Sequence, residues 1–195
     1  EVFFEDIQVY PDLAGKKALV RMNVRASSSA KGEIALSARS FNTNVNHEIA
    51  PVYQTVTVRK GDNPLEMELP MGQNFLTWDE FSPALYRLTA TLKNGKQIET
   101  KQVQFGMREF TINGKWFYVN GRKTMLRGTV ENCDFPLTGY APMDVASWER
   151  VFRICRNYGL NHMRFHSFCP PEAAFIAADL VGFYLQPEGP SWPNH

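Results

Sequence analysis

An alternation of apolar and polar positions with period two dominates the first hundred residues. In residues 17–25, Ala18, Val20, Met22 and Val24 share one face, while Lys17, Arg21, Asn23 and Arg25 lie on the other. That is the signature of a strand buried on one side only. Ile34, Leu36 and Ala38 repeat it, as do Val56 and Val58 between Thr55 and Thr57. Tyr86, Leu88, Ala90 and Leu92 form a further inward set. Asn94-Gly95 follows, two residues that tolerate positive φ, and this predicts a hairpin from which Ile98 to Phe105 returns. Ser27-Ser28-Ser29 and Gly61-Asp62-Asn63-Pro64 read as turns between strands.

About seven short strands over roughly 100 residues, with no helical pattern, predict an antiparallel β-sandwich of the immunoglobulin-like kind over residues 1–106. The cysteine pair of antibody domains is absent, so apolar packing alone must hold that core. Near residue 106 the pattern changes. Asn-Gly turns at Asn113-Gly114 and Asn120-Gly121 bracket a short strand from Lys115 to Val119, and Thr124 to Val130 reads as the next. A helix follows. Asp144 is a good N-cap, Trp148, Val151, Phe152 and Cys155 make one apolar stripe, and Gly159 is placed to end it. His162 to His166 reads as a strand, Pro170-Pro171 opens a second helix that runs to Gly182, and Phe183 to Gln186 is a third strand. The order β-α-β-α-β predicts a parallel sheet with right-handed crossovers.

The fold class expected is therefore mainly β, a sandwich at 1–106 followed at 107–195 by about three βα units of an incomplete (β/α)8 barrel. A complete barrel takes roughly 250 residues, whereas 75 follow residue 120 here. An open sheet of this kind would expose an edge and an inner face, with Met125, Arg127, Met163, Phe165 and Tyr184 as its candidates, and self-association through that edge is expected.

Composition narrows the function classes. A formal net charge of +1 builds no basic stripe, so nucleic acid is not an expected partner. Apolar runs are too short for a membrane helix. The start, Glu1-Val2-Phe3-Phe4-Glu5-Asp6, lacks the basic and apolar regions of a signal peptide. A mature secreted or periplasmic protein, or a piece of a longer chain, begins this way, and a secreted or periplasmic location is the expectation. Cys133, Cys155 and Cys169 are odd in number and lack CxxC spacing, so three free thiols are expected and no metal or cofactor. No dinucleotide, phosphate-loop, zinc-protease or serine-nucleophile motif occurs.

In a βα barrel the reactive groups stand at the C-terminal strand ends. Those ends read Glu131-Asn132-Cys133-Asp134, then Arg164-Phe165-His166-Ser167, then Gln186-Pro187-Glu188 with Ser191, Trp192 and His195 beyond. Polar groups at all three ends suit a rim for a hydroxylated ligand, and Trp192 offers an apolar face to a sugar ring. Arg164 on a strand needs a carboxylate partner, because an unpaired buried charge is costly. His166 reads equally as a ligand contact or a hydrogen-bonded core histidine. Glu131 and Asp134 read more readily as solvated loop carboxylates than as a catalytic pair, and Asp179 reads as structural.

At these residues the sequence resembles glycoside hydrolase family 2, the β-galactosidase, β-mannosidase and β-glucuronidase group. Trp78-Asp79 with Pro83-Ala84-Leu85-Tyr86-Arg87-Leu88 is similar to the family's W…P-x-L-Y-x-L stretch. Phe105-Gly106-Met107-Arg108 resembles the F-G-x-R link into the barrel, and FYVNGRKTMLRG at 117–128 resembles the entry to barrel strand one. Asn161-His162-Met163-Arg164-Phe165-His166 resembles N-x-x-R with its nearby histidine, although the family's common continuation is R-x-S-H-Y-P and here the histidine precedes Ser167. Asp179, Gly182 and Glu188 continue the match. The resemblance implies a retaining β-glycosidase of β-galactosidase type, acting on carbohydrate through two glutamates roughly 5 Å apart. In the family those lie on barrel strands four and seven, so both are expected downstream of His195 and no catalytic residue within the chain. Sugar contacts are expected at Arg164, His166, Glu188, Asp134 and Trp192. A non-catalytic immunoglobulin-like module for glycan binding or adhesion is the alternative reading.

Overall fold

Apolar alternation becomes two antiparallel sheets in the computed structural model, which describes residues 1–189. Strands β1 (Val2–Asp12), β2 (Lys17–Ala26), β3 (Ala30–Phe41), β4 (Glu48–Val58), β5 (Gly61–Pro70), β6 (Leu85–Asn94) and β7 (Gln97–Phe105) are arranged as β1-β2-β5 and β4-β3-β6-β7. The inward residues of β2 (Ala18, Val20, Met22, Val24) and of β6 (Tyr86, Leu88, Ala90, Leu92) belong to one buried core shared by both sheets. Each large apolar side chain fully buried there stabilises the sandwich by about 1.5–3 kcal/mol.

Gly61-Asp62-Asn63-Pro64 is the first departure from the sequence reading. These residues open β5 rather than forming the turn. The turn lies just before them, closed by the Asn63 side chain, whose Oδ1 accepts from Arg59 N at 2.8 Å and whose Nδ2 donates to Arg59 O at 2.8 Å. Pro64 is tolerated because β5 pairs only with β2 and so lies at a sheet edge.

The chain divides into two compact units, Glu1–Thr77 with Ala84–Glu109, and Trp78–Pro83 with Phe110–His195. By sequence position residues 78–83 fall within the sandwich, but they pack in the second unit. Asp79 Oδ1 accepts from Phe81 N at 2.7 Å and Ser82 N at 2.9 Å, which folds the segment into a tight turn with Glu80 at its tip. Trp78 is 1% exposed and its Nε1 donates to Asp179 O at 2.8 Å.

In the second unit, β8 (Phe110–Asn113), β9 (Trp116–Val119) and β10 (Arg122–Thr124) make an antiparallel sheet. Asn120 and Gly121 have φ of 51° and 75°, as their hairpin requires. The strand expected from Thr124 to Val130 is broken: β10 stops at Thr124 and β11 (Gly128–Glu131) starts afresh. Asn161 explains the break. Its Oδ1 accepts from Arg127 N at 2.7 Å and its Nδ2 donates to Met125 O at 3.0 Å. One side chain thus meets the backbone groups that a strand ladder would have used.

Helix α1 (Val145–Asn157), β12 (His162–Phe165), α2 (Glu172–Val181) and β13 (Tyr184–Gln186) complete the unit, with β11-β12-β13 parallel. Asp144 caps α1 through Ser147 N at 2.8 Å, a bond that holds its carboxyl below the usual range. Trp148 and Phe152 pack with Met163, Phe165 and Phe183, and the Phe152 and Phe183 rings stack at 4.9 Å.

The inner face expected to lie open is corrected by this packing. Met163, Phe165 and Tyr184 are 3%, 0% and 8% exposed. Met163 and Phe165 point toward the helices, so the period of two sends His162 and Arg164 to the other face. Tyr184 is covered by Trp78, edge to face at 5.8 Å. Of the apolar candidates only Met125 stays exposed.

Candidate functional site

The parallel register aligns Val130, Arg164 and Gln186 in one row across the three strands, on the face turned away from the helices. Arg164 Nε donates to Glu188 Oε1 at 2.5 Å, and Ser167 N donates to Glu188 Oε2 at 2.9 Å. Ser167 adopts a φ of 64°, a left-handed conformation uncommon for a side-chain-bearing residue, and from it presents its N–H to the carboxylate. Glu188 N in turn donates to Phe168 O at 3.1 Å. The end of β12 and the segment after β13 are therefore tied by a charge-assisted cluster.

The Arg164 hydrogen bond, then the Ser167 N–H, hold the Glu188 carboxyl below its ordinary range. A carboxyl so held stays ionised near neutral pH and is a poor proton donor. A depressed folded-state pKa contributes stability above the unfolded pKa of about 4.3, and that contribution is lost as pH falls through the lower folded value. Arg164→Gln is expected to raise the Glu188 titration midpoint, read by carboxyl carbon NMR. An unchanged midpoint would show that the pair does not set it.

His166 N donates to Glu131 O at 2.9 Å, and its Nδ1 meets Asn132 Oδ1 at 3.2 Å. An amide oxygen only accepts, so Nδ1 is the donor in that contact. Glu131 Oε1 accepts from Cys133 N at 2.9 Å and Asp134 N at 3.4 Å, closing a turn in which Cys133 has a φ of 60°. Of the expected contacts, the structure joins Arg164 to Glu188, and His166 lends Glu188 a weaker stabilising charge effect. Asp134 is exposed in the loop after β11, tied to Glu131 through its backbone. Trp192 lies outside the described residues.

A second polar node went unread in the sequence. Glu80 is 6% exposed, and both of its oxygens accept from Asn161 Nδ2 at 3.0 Å. Arg127 Nη2 donates to Glu80 Oε2 at 3.1 Å. Nearby, burial pushes the Tyr184 hydroxyl up to about 12, with the charge of Glu80 adding to it. The only prior signal was Asn161 itself, a polar residue immediately before a strand. Gly128 has a packing role beside it, because a Cβ there would come within 2.4 Å of His162 Nδ1.

Among the described residues no group of three or more His, Cys, Asp or Glu is placed to hold a metal ion, and no helix is long and apolar enough to cross a membrane. Cys133, Cys155 and Cys169 are free thiols.

A family model described as glycosyl hydrolases family 2 matches residues 2–108. A β-galactosidase of Thermoanaerobacterium thermosulfurigenes is 30% identical over 116 residues, which is 59% of this chain and 16% of that protein. Among solved structures, a glycosyl hydrolase family 2 member from Bacteroides cellulosilyticus aligns with a TM-score of 0.80 at 22% identity, over 96% of this chain and 27% of that one. A β-glucuronidase of Parabacteroides merdae aligns with a TM-score of 0.71 at 25% identity, over 97% of this chain and 24% of that one. The chain thus spans roughly a quarter or less of the length of these relatives.

Proposed function

The chain belongs to glycosyl hydrolases family 2, and on that premise we propose that it forms part of a retaining β-glycosidase. Residues 1–106 serve as its immunoglobulin-like sandwich, and residues 107–195 serve as the opening βα units of its catalytic barrel. Arg164, His166 and Glu188 then form part of the rim that holds the sugar.

The observation that carries this reading is the Arg164–Glu188 pair. It stands at the C-terminal ends of parallel strands, where barrel enzymes place their ligands. A guanidinium locked by a carboxylate keeps a fixed orientation and its remaining N–H donors are available for hydroxyls. Glu188 offsets the Arg164 charge, so the row presents donors without a net positive charge. That suits a neutral pyranose such as galactose better than a uronate.

The chemistry of bond cleavage belongs to other carboxylates of the barrel. Glu188 is held ionised and has one oxygen engaged by Arg164 and the other by Ser167 N, Glu131 is occupied in closing its loop, and Glu80 is buried against Asn161. A retaining mechanism needs one carboxyl that protonates the leaving group and one that attacks the anomeric carbon, and none of these three is free for either task.

The product of the native reading frame that contains this chain is expected to hydrolyse aryl β-galactosides with retention of anomeric configuration. The 195-residue chain alone is expected to show no turnover. Hydrolysis by the chain alone that survives replacement of Glu131, Asp134 and Glu188 would overturn the assignment of the chemistry to other carboxylates. Absence of β-glycoside turnover in the native product would overturn the reading as an enzyme and favour a non-catalytic module.

A further inference from the structure

The outer face of the four-stranded sheet carries a cluster that the proposed reaction does not use. The strand register aligns Glu48, Arg39, Arg87 and Gln104 in a single row across β4, β3, β6 and β7. Two residues along, on the same face, lie Ser37, Thr89 and Gln102. Register shifts between Leu36 and Ala38 against β4, and an irregularity of this kind bends a strand. The face is concave there and holds about 900 Å³, with Arg39, Phe41, Glu48, Arg87, Thr89 and Gln102 among its lining.

Two features of this row run against stability alone. Arg39 and Arg87 stand directly opposite each other on neighbouring strands, where like charges repel. Glu48 serves only one of them: its Oε1 is 3.2 Å from Arg39 Nε. The Arg87 guanidinium lies over the Phe41 ring, 4.8 Å from its centroid, and has no carboxylate partner among the described residues. Two guanidinium groups against one carboxylate, lining a concavity of small-ligand size, mark a place for an anion.

We propose that this face binds an acidic oligosaccharide. A carboxylate or sulfate would lie between Arg39 and Arg87, and the sugar hydroxyls would meet Ser37, Thr89 and Gln102. Guanidinium groups match the planar oxygens of a carboxylate and the tetrahedral edge of a sulfate equally well, so the shared chemistry is an anionic, hydroxyl-rich ligand. The inference goes beyond the proposed hydrolysis and does not depend on Arg164 or Glu188.

The test is titration of the 195-residue chain by calorimetry and amide NMR with four probes: a uronate-containing trisaccharide, a sulfated trisaccharide, a neutral trisaccharide and inorganic sulfate. Binding of either acidic trisaccharide with a Kd of about 1 mM or tighter is expected, and which of the two binds better identifies the anion. Arg87→Gln or Arg39→Gln should weaken it by about tenfold or more, with the melting temperature held or raised, since both side chains are exposed. Glu48→Gln, which removes the competing carboxylate, should tighten it. Arg164→Gln should leave it unchanged, which separates this surface from the proposed sugar rim. Neutral trisaccharide binding as tightly, inorganic sulfate binding as tightly, full affinity in Arg87→Gln, or no binding of either acidic probe would each overturn the proposal.

Discussion

Trp78→Ala is expected to destabilise the second unit by about 3–5 kcal/mol, as large-to-small changes at fully buried aromatic sites do. Trp78 is 1% exposed and packs edge to face against Tyr184 at 5.8 Å. Its Nε1–H satisfies Asp179 O at 2.8 Å, near the end of α2. Deleting the ring removes the packing, the aromatic contact and that donor together. Trp78→Phe separates the contributions, because it keeps an aromatic ring and loses only the N–H and part of the volume. Its expected cost is about 1–2 kcal/mol. Urea unfolding followed by NMR resonances of the second unit measures both. Equal stability of Trp78→Ala and the unsubstituted chain would show that residues 78–83 do not hold to that unit.

The next largest effect is expected at Asn161. Asn161→Ala removes the side chain that bonds Arg127 N, Met125 O and both oxygens of Glu80. It leaves a nearly buried carboxylate supported mainly by Arg127, whose side chain is half exposed. Loss of one partner of a buried charge costs about 3–5 kcal/mol in well-studied cases. The mutation also removes two of the side-chain bonds that hold the backbone between β10 and β11, leaving the Arg127 Nη1 bond to Met125 O at 3.3 Å. Asn161→Asp is the sharper variant. It keeps the shape but sets a second carboxylate against Glu80, so its loss should be severe at neutral pH and should shrink as acid protonates one of the pair. A loss for Asn161→Asp that does not change with pH would exclude direct coupling to Glu80.

Much of the fold was legible where burial is one-sided. The alternation in β2 and β6 reappears residue for residue in the buried set, because the period of a strand and the position of a core on one face leave little choice. The helix stripe of Trp148 and Phe152 survived for the same reason. What failed was anything decided by a partner distant in sequence. Thr124 to Val130 has the composition of one strand, yet Asn161, 34 residues beyond Arg127, breaks it. Residues 78–83 lie between two segments of the sandwich, and only the complementarity of Trp78 and Glu80 to the second unit draws them there. Met163 and Phe165 pack against the helices and not on the open face, and a short strand in isolation does not reveal which of its faces the helices cover.

The site divides along similar lines. That Arg164 needs a carboxylate follows from the cost of an unpaired charge on a strand. That Glu188 supplies it, 24 residues away, follows only from the parallel register that brings their strand ends together. The outer row of Arg39, Arg87 and Gln104 was invisible in the sequence, since its members come from three strands.

The central claim is that the Arg164–Glu188 pair holds the sugar for a β-glycosidase whose reacting carboxylates lie elsewhere. The most direct measurement is kcat/KM on an aryl β-galactoside for the native reading-frame product and its Arg164→Gln and Glu188→Gln variants, with melting temperatures alongside. A loss of at least about 100-fold in each variant is expected, equivalent to about 2.7 kcal/mol of transition-state stabilisation, with some residual turnover and little change in melting temperature. Wild-type kcat/KM in either variant would contradict the claim.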